Sequence, residues 1–279
     1  MKRQPKEFPI MTSLTLSVIP GFKDNYFYVL DNHKTAEAVV IDPGDATPII
    51  KALIAKNLQL SSILLTHHHR DHVEGVDELI QKWPHCKVIC SPWLKVKNTW
   101  THENIVVLSP ENKLALWDFE IGILDVRGHT LDHIAFTLKE NLSDSIIDVF
   151  VGDALFGAGC GGLFEGTYSQ MLSALKTLRS LPNHTRVWCA HEYTLKNLRV
   201  AVQLQEENPA QLKKLNTLET MCIEKNLEPH ELVTIPLILE EELQINPFLR
   251  WDAPTLKKAI DTDDELATFT FIRTFRDKF

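Results

Sequence analysis

A dense group of imidazole and carboxylate side chains lies in residues 66–72, which read THHHRDH. On a tight loop, His67 and His69 can turn to one side while Asp71 and His72 face another. Imidazole together with carboxylate is a ligand set that suits Zn²⁺, and also Fe or Mn. The alternative is a solvated turn or a purification tag, but this run is internal, contains an Asp and follows an apolar segment. The segment therefore predicts a metal site.

The elements around these ligands alternate between strand and helix patterns. Residues 61–66 (SSILLT) form a short apolar run that predicts a strand ending at the histidines. Further strands are predicted within 14–30, 36–42, 87–91, 105–151 and 186–190, and helices over 47–57, 76–83 and 170–180. Beyond Thr194 the chain changes to long helix-period segments rich in Leu, Glu and Lys. We expect a mixed strand-and-helix domain to about residue 190, followed by a helical domain.

Composition limits the class of partner. The chain has 279 residues and a formal net charge of −8, from 29 basic and 37 acidic side chains. This balance argues against nucleic acid or an anionic membrane surface as the partner. No run approaches the ~18 apolar residues that span a bilayer. The 5 cysteines are an odd number without a repeated spacing, which suits a reducing cytosol, so we expect a cytoplasmic protein.

Three further motifs follow the histidine run in chain order: Gly128-His129-Thr130, Gly152-Asp153, and His191 after the strand-like RVWCA. Together with His-x-His-x-Asp-His they resemble the signature of the metallo-β-lactamase superfamily. The resemblance implies an α/β fold, the αββα sandwich, with two metal ions. Carried over by position, the first metal takes His67, His69 and His129, the second takes Asp71, His72 and His191, and Asp153 bridges them.

The chain resembles the glyoxalase II family more closely still. The resemblance rests on Asp24-Asn25-Tyr26, on residues 152–167 (GDALFGAGCGGLFEGT), on His191-Glu192-Tyr193-Thr194, and on residues 234–250 and 273–279, including Asn246-Pro247-Phe248. It implies a catalytic domain over 11–192 and a helical substrate-binding domain over 193–279. Residues 1–10 are charged and lack the apolar stretch of a secretory signal, so we interpret them as a short leader.

The family resemblance implies a thioester hydrolase that converts S-lactoylglutathione to glutathione and D-lactate, the last step of methylglyoxal detoxification. Two metals ~3.5–4 Å apart can hold a water as hydroxide near neutral pH, which would attack the thioester carbonyl. Asp71 is the candidate for orienting that hydroxide or moving its proton. The leaving thiol has an ordinary pKa of only ~8.5, so no strong general acid is needed. His133 is expected to support a ligand by hydrogen bonding.

Substrate contacts are implied by the same resemblance. Tyr193, Arg273 and Arg276 fit the family's glutathione contacts, and Arg suits a carboxylate through two parallel hydrogen bonds. The family usually has Lys or Arg where this chain has Gly162, and often Tyr where it has Phe164. Gly162, Leu163 and Phe164 are therefore expected to contact substrate without that cation and hydroxyl, which weakens glutathione binding. For the two arginines alone, stabilisation of the terminal helix dipole is the alternative.

Other functions share these ligands, and another acyl-thioester hydrolase of the same superfamily is one alternative. A mono-iron glutathione persulfide dioxygenase uses the same site but is not expected to carry the helical domain and basic tail. β-Lactam hydrolysis and RNA processing are disfavoured by that domain and by the net charge of −8. A non-catalytic metal-binding protein on the same scaffold is the third alternative. The presence of all seven predicted ligands argues against it. We expect no protein partner and a monomer.

Overall fold

The structure is a computed structural model that describes residues 3–11, 14–97, 103–110, 112–141, 146–204 and 208–279. The chain divides between Asn112 and Lys113 into two compact units, called here the N-terminal and the C-terminal unit. Each unit contains one large β-sheet. Among the described residues, no helix combines the length and apolar character needed to cross a bilayer.

The N-terminal unit is built on a sheet with strand order β1-β2-β3-β4-β5-β6-β7. Its strands are β1 (Lys6–Met11), β2 (Leu14–Gly21), β3 (Asn25–Asn32), β4 (Glu37–Ile41), β5 (Gln59–Leu64), β6 (Lys87–Cys90) and β7 (Ile105–Val107). Its helices are α1 (Ala46–Ala55), α2 (Arg70–Val73), α3 (Val76–Lys82) and α4 (Pro92–Lys97). β1 to β4 pair antiparallel and β4 to β7 pair parallel.

The core of this unit places the predicted ligands at the end of parallel strands. Asp45 caps the start of α1, where its side chain accepts from the Thr47 amide, and α1 buries Ile49 and Leu53 against the sheet. The strand predicted over residues 61–66 is found as β5, whose last three residues, Ser62–Leu64, are buried and lead towards the histidines. Loops at the carboxyl ends of parallel strands are the usual place for sites in α/β folds.

The N-terminal strand was not anticipated. Residues 1–10 were interpreted as a leader, whereas Lys6–Met11 form β1, which pairs antiparallel with β2 at the edge of the sheet. Pro9 lies within it, and an edge strand tolerates Pro because its unpaired side needs no donor. Part of the predicted leader is therefore an integral strand of the N-terminal unit.

The C-terminal unit has a sheet with strand order β15-β14-β11-β10-β9-β8 and a separate hairpin of β12 and β13. The strands are β8 (Lys113–Leu116), β9 (Phe119–Asp125), β10 (Ile134–Glu140), β11 (Ile146–Gly152), β12 (Leu155–Phe156), β13 (Gly159–Cys160), β14 (Arg186–Cys189) and β15 (Leu237–Ile238). The helices are α5 (Tyr168–Arg179), α6 (Thr194–Leu204), α7 (Pro209–Lys225), α8 (Leu239–Ile245), α9 (Pro254–Ala259) and α10 (Glu265–Arg276), with 3₁₀ turns at Pro229–Glu231 and Pro247–Leu249.

The helices predicted beyond Thr194 are present, and they share this unit with strands β8 to β14. One reason is that β15 pairs antiparallel with β14, with Val187 opposite Leu237. The division into domains 11–192 and 193–279 stays a prediction, since the compact units divide at Asn112 instead.

Candidate active site

The buried carboxylate of Asp42 organises the histidines of the N-terminal unit. Its Oδ2 lies 3.0 Å from Nδ1 of His72, and it also accepts the Thr66 hydroxyl proton over 2.7 Å. Because that hydroxyl donates to Asp42, it accepts from Nδ1 of His67 at 3.1 Å. Both rings thus carry their proton on Nδ1, and Nε2 is the unprotonated nitrogen that ligates metals.

Asp71 lies beside this pair of rings and is itself held in place. Its Oδ2 accepts a hydrogen bond from the Asn25 amide at 3.0 Å and lies 3.6 Å from Nε2 of His72. The ring of His69 is centred 4.7 Å from the ring of His67, and that of His72 4.0 Å from it. The four ligands predicted from residues 66–72 therefore come together in the N-terminal unit.

Asp153 plays the corresponding part in the C-terminal unit. Its Oδ2 lies 3.4 Å from Nε2 of His129, and its Oδ1 lies 3.4 Å from Nε2 of His191. One carboxylate thus presents a different oxygen to each of two imidazoles. The structure brings together all three ligands predicted in this unit.

Neighbouring groups hold this second cluster. The Gly162 carbonyl lies 2.7 Å from Nδ1 of His129, and since a carbonyl only accepts, that nitrogen carries the proton. His133 accepts a hydrogen bond from the Asp153 amide at Nε2 over 3.1 Å, while its Nδ1 donates to the Ile134 carbonyl. His133 therefore supports Asp153 through the backbone.

Side chains from three helices hold the backbone of residues 156–161, which we call the hairpin segment. Asn246 donates to the carbonyls of Phe156 and Gly159, both at 3.1 Å. The remaining contacts are Asn197 to the Gly157 carbonyl at 3.1 Å, Glu242 accepting from the Ala158 amide at 2.8 Å, and Arg273 donating to the carbonyls of Cys160 at 3.0 Å and Gly161 at 3.4 Å. The hairpin segment connects Asp153 to the predicted substrate residues 162–164, so the helices set the position of both.

Burial changes the pKa values of two ionisable side chains around the hairpin segment. Burial raises the pKa of Glu242 to about 7, and burial raises the pKa of the Cys160 thiol to about 11. Cys160 is therefore a neutral thiol near neutral pH and not an activated nucleophile.

The predicted substrate residues occupy very different environments. Phe164 is 73% exposed and lies edge-on to the His129 ring at 5.2 Å. Tyr193 stacks on the His191 ring at 4.9 Å. Arg276 is half-buried and donates from Nε to Asn197, whereas Arg273 is only 3% exposed and its Nη1 and Nη2 bind the hairpin segment and Asp277. The sequence alone did not predict that Arg273 is buried and binds backbone carbonyls and Asp277.

Sequence reasoning also missed residues that act through hydrogen bonds. Asp42 and Glu242 were not singled out, and Asn25 and Asn246 were noted only as parts of motifs. A polar residue that ends a buried strand was the available signal for Asp42, which follows the apolar run 38–41. A Glu on the buried face of a helix was the signal for Glu242.

The donor set of each unit suits a divalent metal ion. The N-terminal unit offers Nε2 of His67 and His72 and the C-terminal unit Nε2 of His129, each with its tautomer fixed by a partner at Nδ1, and each unit adds a carboxylate. Nitrogen and oxygen donors of this kind suit Zn²⁺, Fe and Mn. The residues present therefore fit metal binding.

Two family models together match residues 20–279 of the chain. The metallo-beta-lactamase superfamily model matches residues 20–191, and a model described as hydroxyacylglutathione hydrolase C-terminus matches residues 192–279. Hydroxyacylglutathione hydrolases of Trichormus variabilis and Nostoc sp. are 40% and 41% identical, each aligned over 94% of this chain and 98% of the relative. A metallo-beta-lactamase structure from Staphylococcus aureus has a TM-score of 0.61 at 18% identity, covering 90% of this chain and 68% of that one, and shows the fold alone.

The predicted resemblance and fold class are thereby confirmed. The chain has a metallo-β-lactamase fold with a C-terminal helical region. It belongs to the hydroxyacylglutathione hydrolase family of the metallo-β-lactamase superfamily.

Proposed function

We propose that this chain is a thioester hydrolase that converts S-(2-hydroxyacyl)glutathione, with S-lactoylglutathione as the first candidate, to glutathione and the 2-hydroxy acid. The observation that carries the proposal is the match to hydroxyacylglutathione hydrolases along 94% of the chain. That match extends through the C-terminal region, which a persulfide dioxygenase or a β-lactamase is not expected to carry.

Two divalent metal ions are the proposed cofactors, with Zn²⁺ as first choice and Fe or Mn as alternatives. Following the superfamily pattern, His67, His69 and His129 would hold one ion, Asp71, His72 and His191 the other, and Asp153 both. When bound, the ions would supply a Lewis acid for the thioester carbonyl and lower the pKa of a water. The two Asp153–imidazole distances of 3.4 Å support the bridging role.

Asp71 is the proposed catalytic residue. Its carboxylate would accept a proton from the attacking water, and the Asn25 amide donates a hydrogen bond to its Oδ2. The leaving group departs as a thiolate, whose ordinary pKa of ~8.5 makes a general acid unnecessary.

The substrate's glutathione part is proposed to contact Tyr193, Arg276 and the backbone of Gly162, Leu163 and Phe164. Burial and the neighbouring Arg273 cation lower the pKa of Arg276, so an anionic partner would relieve an unfavourable environment. A glutathione carboxylate is such a partner. Arg273 is proposed to contribute by holding the Cys160 and Gly161 carbonyls beside this contact.

A monomer in the cytoplasm is the proposed state of the chain. All five cysteines are free thiols, which is typical of a reducing compartment.

The test is a thioesterase assay on purified protein with S-lactoylglutathione, before and after chelation and metal restoration, alongside metal analysis. Hydrolysis that is lost with the metal and restored by it is expected. Oxygen uptake with glutathione persulfide would support the dioxygenase alternative instead. Metal binding without either activity would support a non-catalytic protein.

A further inference from the structure

We propose that Arg3 is a positioning residue that acts on Asp71 through the turn between β2 and β3. This inference rests on the proposed function, because it assigns Arg3 a part in the same site. Arg3 precedes the residues 20–279 that the two family models match, and it lies in the segment interpreted above as a leader.

The Arg3 guanidinium donates hydrogen bonds to carbonyl oxygens of the β2–β3 turn. It donates to Gly21 at 3.2 Å, Lys23 at 3.1 Å, Asp24 at 3.1 Å and Asn25 at 3.0 Å. Its Cζ also lies 4.9 Å from the centre of the Tyr26 ring. Nη2 donates to Gly21, Lys23 and Asn25 and Nη1 to Asp24, so at least two carbonyls share one Nη2 hydrogen. Arg is suited to this role because its planar guanidinium presents several N–H donors in a rigid fork.

The turn needs such support because its backbone is strained. Phe22 has φ of +41°, a left-handed conformation that costs a non-glycine residue about 1–2 kcal/mol. Phe22 is 57% exposed, and its ring meets the Phe27 ring edge-on at 5.8 Å. Gly21 and Asn25 pair across the base of the turn, and hydrogen bonds from Arg3 to the carbonyls on either side of Phe22 add to this closure.

The β2–β3 turn leads directly into Asn25, which contacts the proposed catalytic residue Asp71. Asn25 begins β3, is 5% exposed, and donates from its amide to Asp71 Oδ2 at 3.0 Å. Arg3 binds the carbonyl of the same residue. A movement of the turn therefore moves a donor that binds the Asp71 carboxylate, and Arg3, Asn25 and Asp71 form a continuous chain of contacts.

The entropy cost of placing Arg3 is reduced by the strand that follows it. β1 pairs with β2 from Lys6 opposite Val18 onward, so the segment carrying Arg3 is attached to the sheet three residues later. Arg3 thus binds the turn from an anchored strand rather than from a loose chain.

The experiment compares R3A and R3K with K6A, which removes the same charge from an exposed position of the same segment. R3A is expected to lower kcat about tenfold, since a misplacement of ~1 Å at a catalytic group can cost about 100-fold. R3K, which keeps the charge but not the fork, is expected to fall between R3A and the parent, and K6A to match the parent. Amide hydrogen exchange of residues 21–26 should accelerate in R3A alone.

A double-substitution cycle separates positioning from a general structural role. If Arg3 acts through Asn25, R3A should have no further effect on kcat in an N25A background. Independent, additive losses would overturn the proposal, as would unchanged kcat or unchanged exchange in R3A. If the parent does not hydrolyse thioesters, the proposed function fails. The role of Arg3 is then still tested by amide exchange rates and by Zn²⁺ affinity, measured by chelator competition. Both quantities must change in R3A and stay unchanged in K6A.

Discussion

The carboxylate of Glu242 accepts a hydrogen bond from the Ala158 amide over 2.8 Å, across a sequence separation of 84 residues. Ala158 has φ of +52°, a left-handed conformation that costs a residue with a Cβ about 1–2 kcal/mol. The same Glu242 oxygen accepts from Asn246 at 3.0 Å. A buried acid on α8 therefore stabilises a strained turn in the segment that joins Asp153 to the proposed substrate residues.

The first prediction concerns the pH dependence of stability. Burial raises the pKa of Glu242 from 4.5 to about 7, so across this window the folded chain holds a proton that the unfolded chain has lost. The free energy of unfolding should therefore fall as pH rises from 4.5 to 7. E242Q has no group that titrates here. From pH 4.5 to pH 7, the unfolding free energy of E242Q relative to that of the parent should therefore rise by about 2–3 kcal/mol, at ~1.4 kcal/mol per pKa unit.

Urea unfolding at a series of pH values measures this difference. E240Q, which changes an exposed acid on the same helix, is the control and should follow the parent curve. Parallel curves for E242Q and the parent would contradict the assigned titration.

The second prediction concerns Asn246. Its amide nitrogen serves the Phe156 and Gly159 carbonyls and its oxygen accepts from the Phe248 amide, all in the interior. N246A leaves these groups without their partner, and a loss of about 2–4 kcal/mol of stability is expected together with a lower kcat. N208A is the control, because Asn208 caps α7 and its loss should cost about 1 kcal/mol with kcat unchanged. Equal effects of both substitutions on kcat would refute the role of the hairpin segment.

Local sequence pattern predicted the strand ends that carry the proposed ligands, but the assignment of His129, Asp153 and His191 rests on the superfamily resemblance, and most of the residues that hold the ligands were not predicted. Asp153 and His191 follow apolar strand runs, so their position at strand ends could be predicted from the chain alone. Asp42 pairs with His72 across 30 residues. Such a contact depends on which strands become neighbours, and periodicity along one strand carries no information about it.

Two further residues show where pattern reasoning fails for physical reasons. β1 contains Pro9 and is stabilised by pairing with β2, so its own sequence lacks a clear strand alternation. Arg273 lies one turn after the buried Phe269 on α10, which places a cation on the apolar face of that helix. Its burial follows from the i, i+4 spacing, although its residue type suggests an exposed position.

The third prediction concerns the bridging carboxylate. D153N keeps the size of the side chain but removes the charge that faces both His129 and His191. Metal content should fall below that of the parent and hydrolysis by about a thousandfold or more, with an unchanged circular dichroism spectrum. D263N, at a fully exposed aspartate, is the matched control. Full turnover by D153N would exclude the two-metal assignment.

The fourth prediction separates the two arginines of the tail. R276A removes the proposed carboxylate contact and should raise KM about tenfold with kcat little changed. R273A leaves the Cys160 and Gly161 carbonyls without their donor, so it should lower both kcat and stability, the latter by about 1–3 kcal/mol. K278A removes an exposed cation from the same tail and should change neither parameter. A pure KM effect in R273A would instead assign Arg273 to direct substrate binding.

The fifth prediction restores the cation that the family carries at the position of Gly162. A Cβ there would first meet Phe164 Cε2 at 3.6 Å, an ordinary contact, whereas one on the neighbouring Gly161 would lie 2.0 Å from the Asp153 carbonyl oxygen. The His129 hydrogen bond uses the backbone of Gly162 and is unaffected by a side chain. G162K should therefore fold, and a charge-assisted hydrogen bond of about 1.5–3 kcal/mol should lower KM for S-lactoylglutathione by about ten- to a hundredfold.

The control for this substitution is G162Q, which has a similar reach but no charge and should leave KM near that of the parent. A thioester that lacks the glutathione carboxylates should gain nothing from G162K, because the new ammonium group then has no anion to bind. Steady-state kinetics on both substrates make the comparison. An equal gain on both, or an equal gain from G162Q, would show that charge at this position does not act on the thiol carrier.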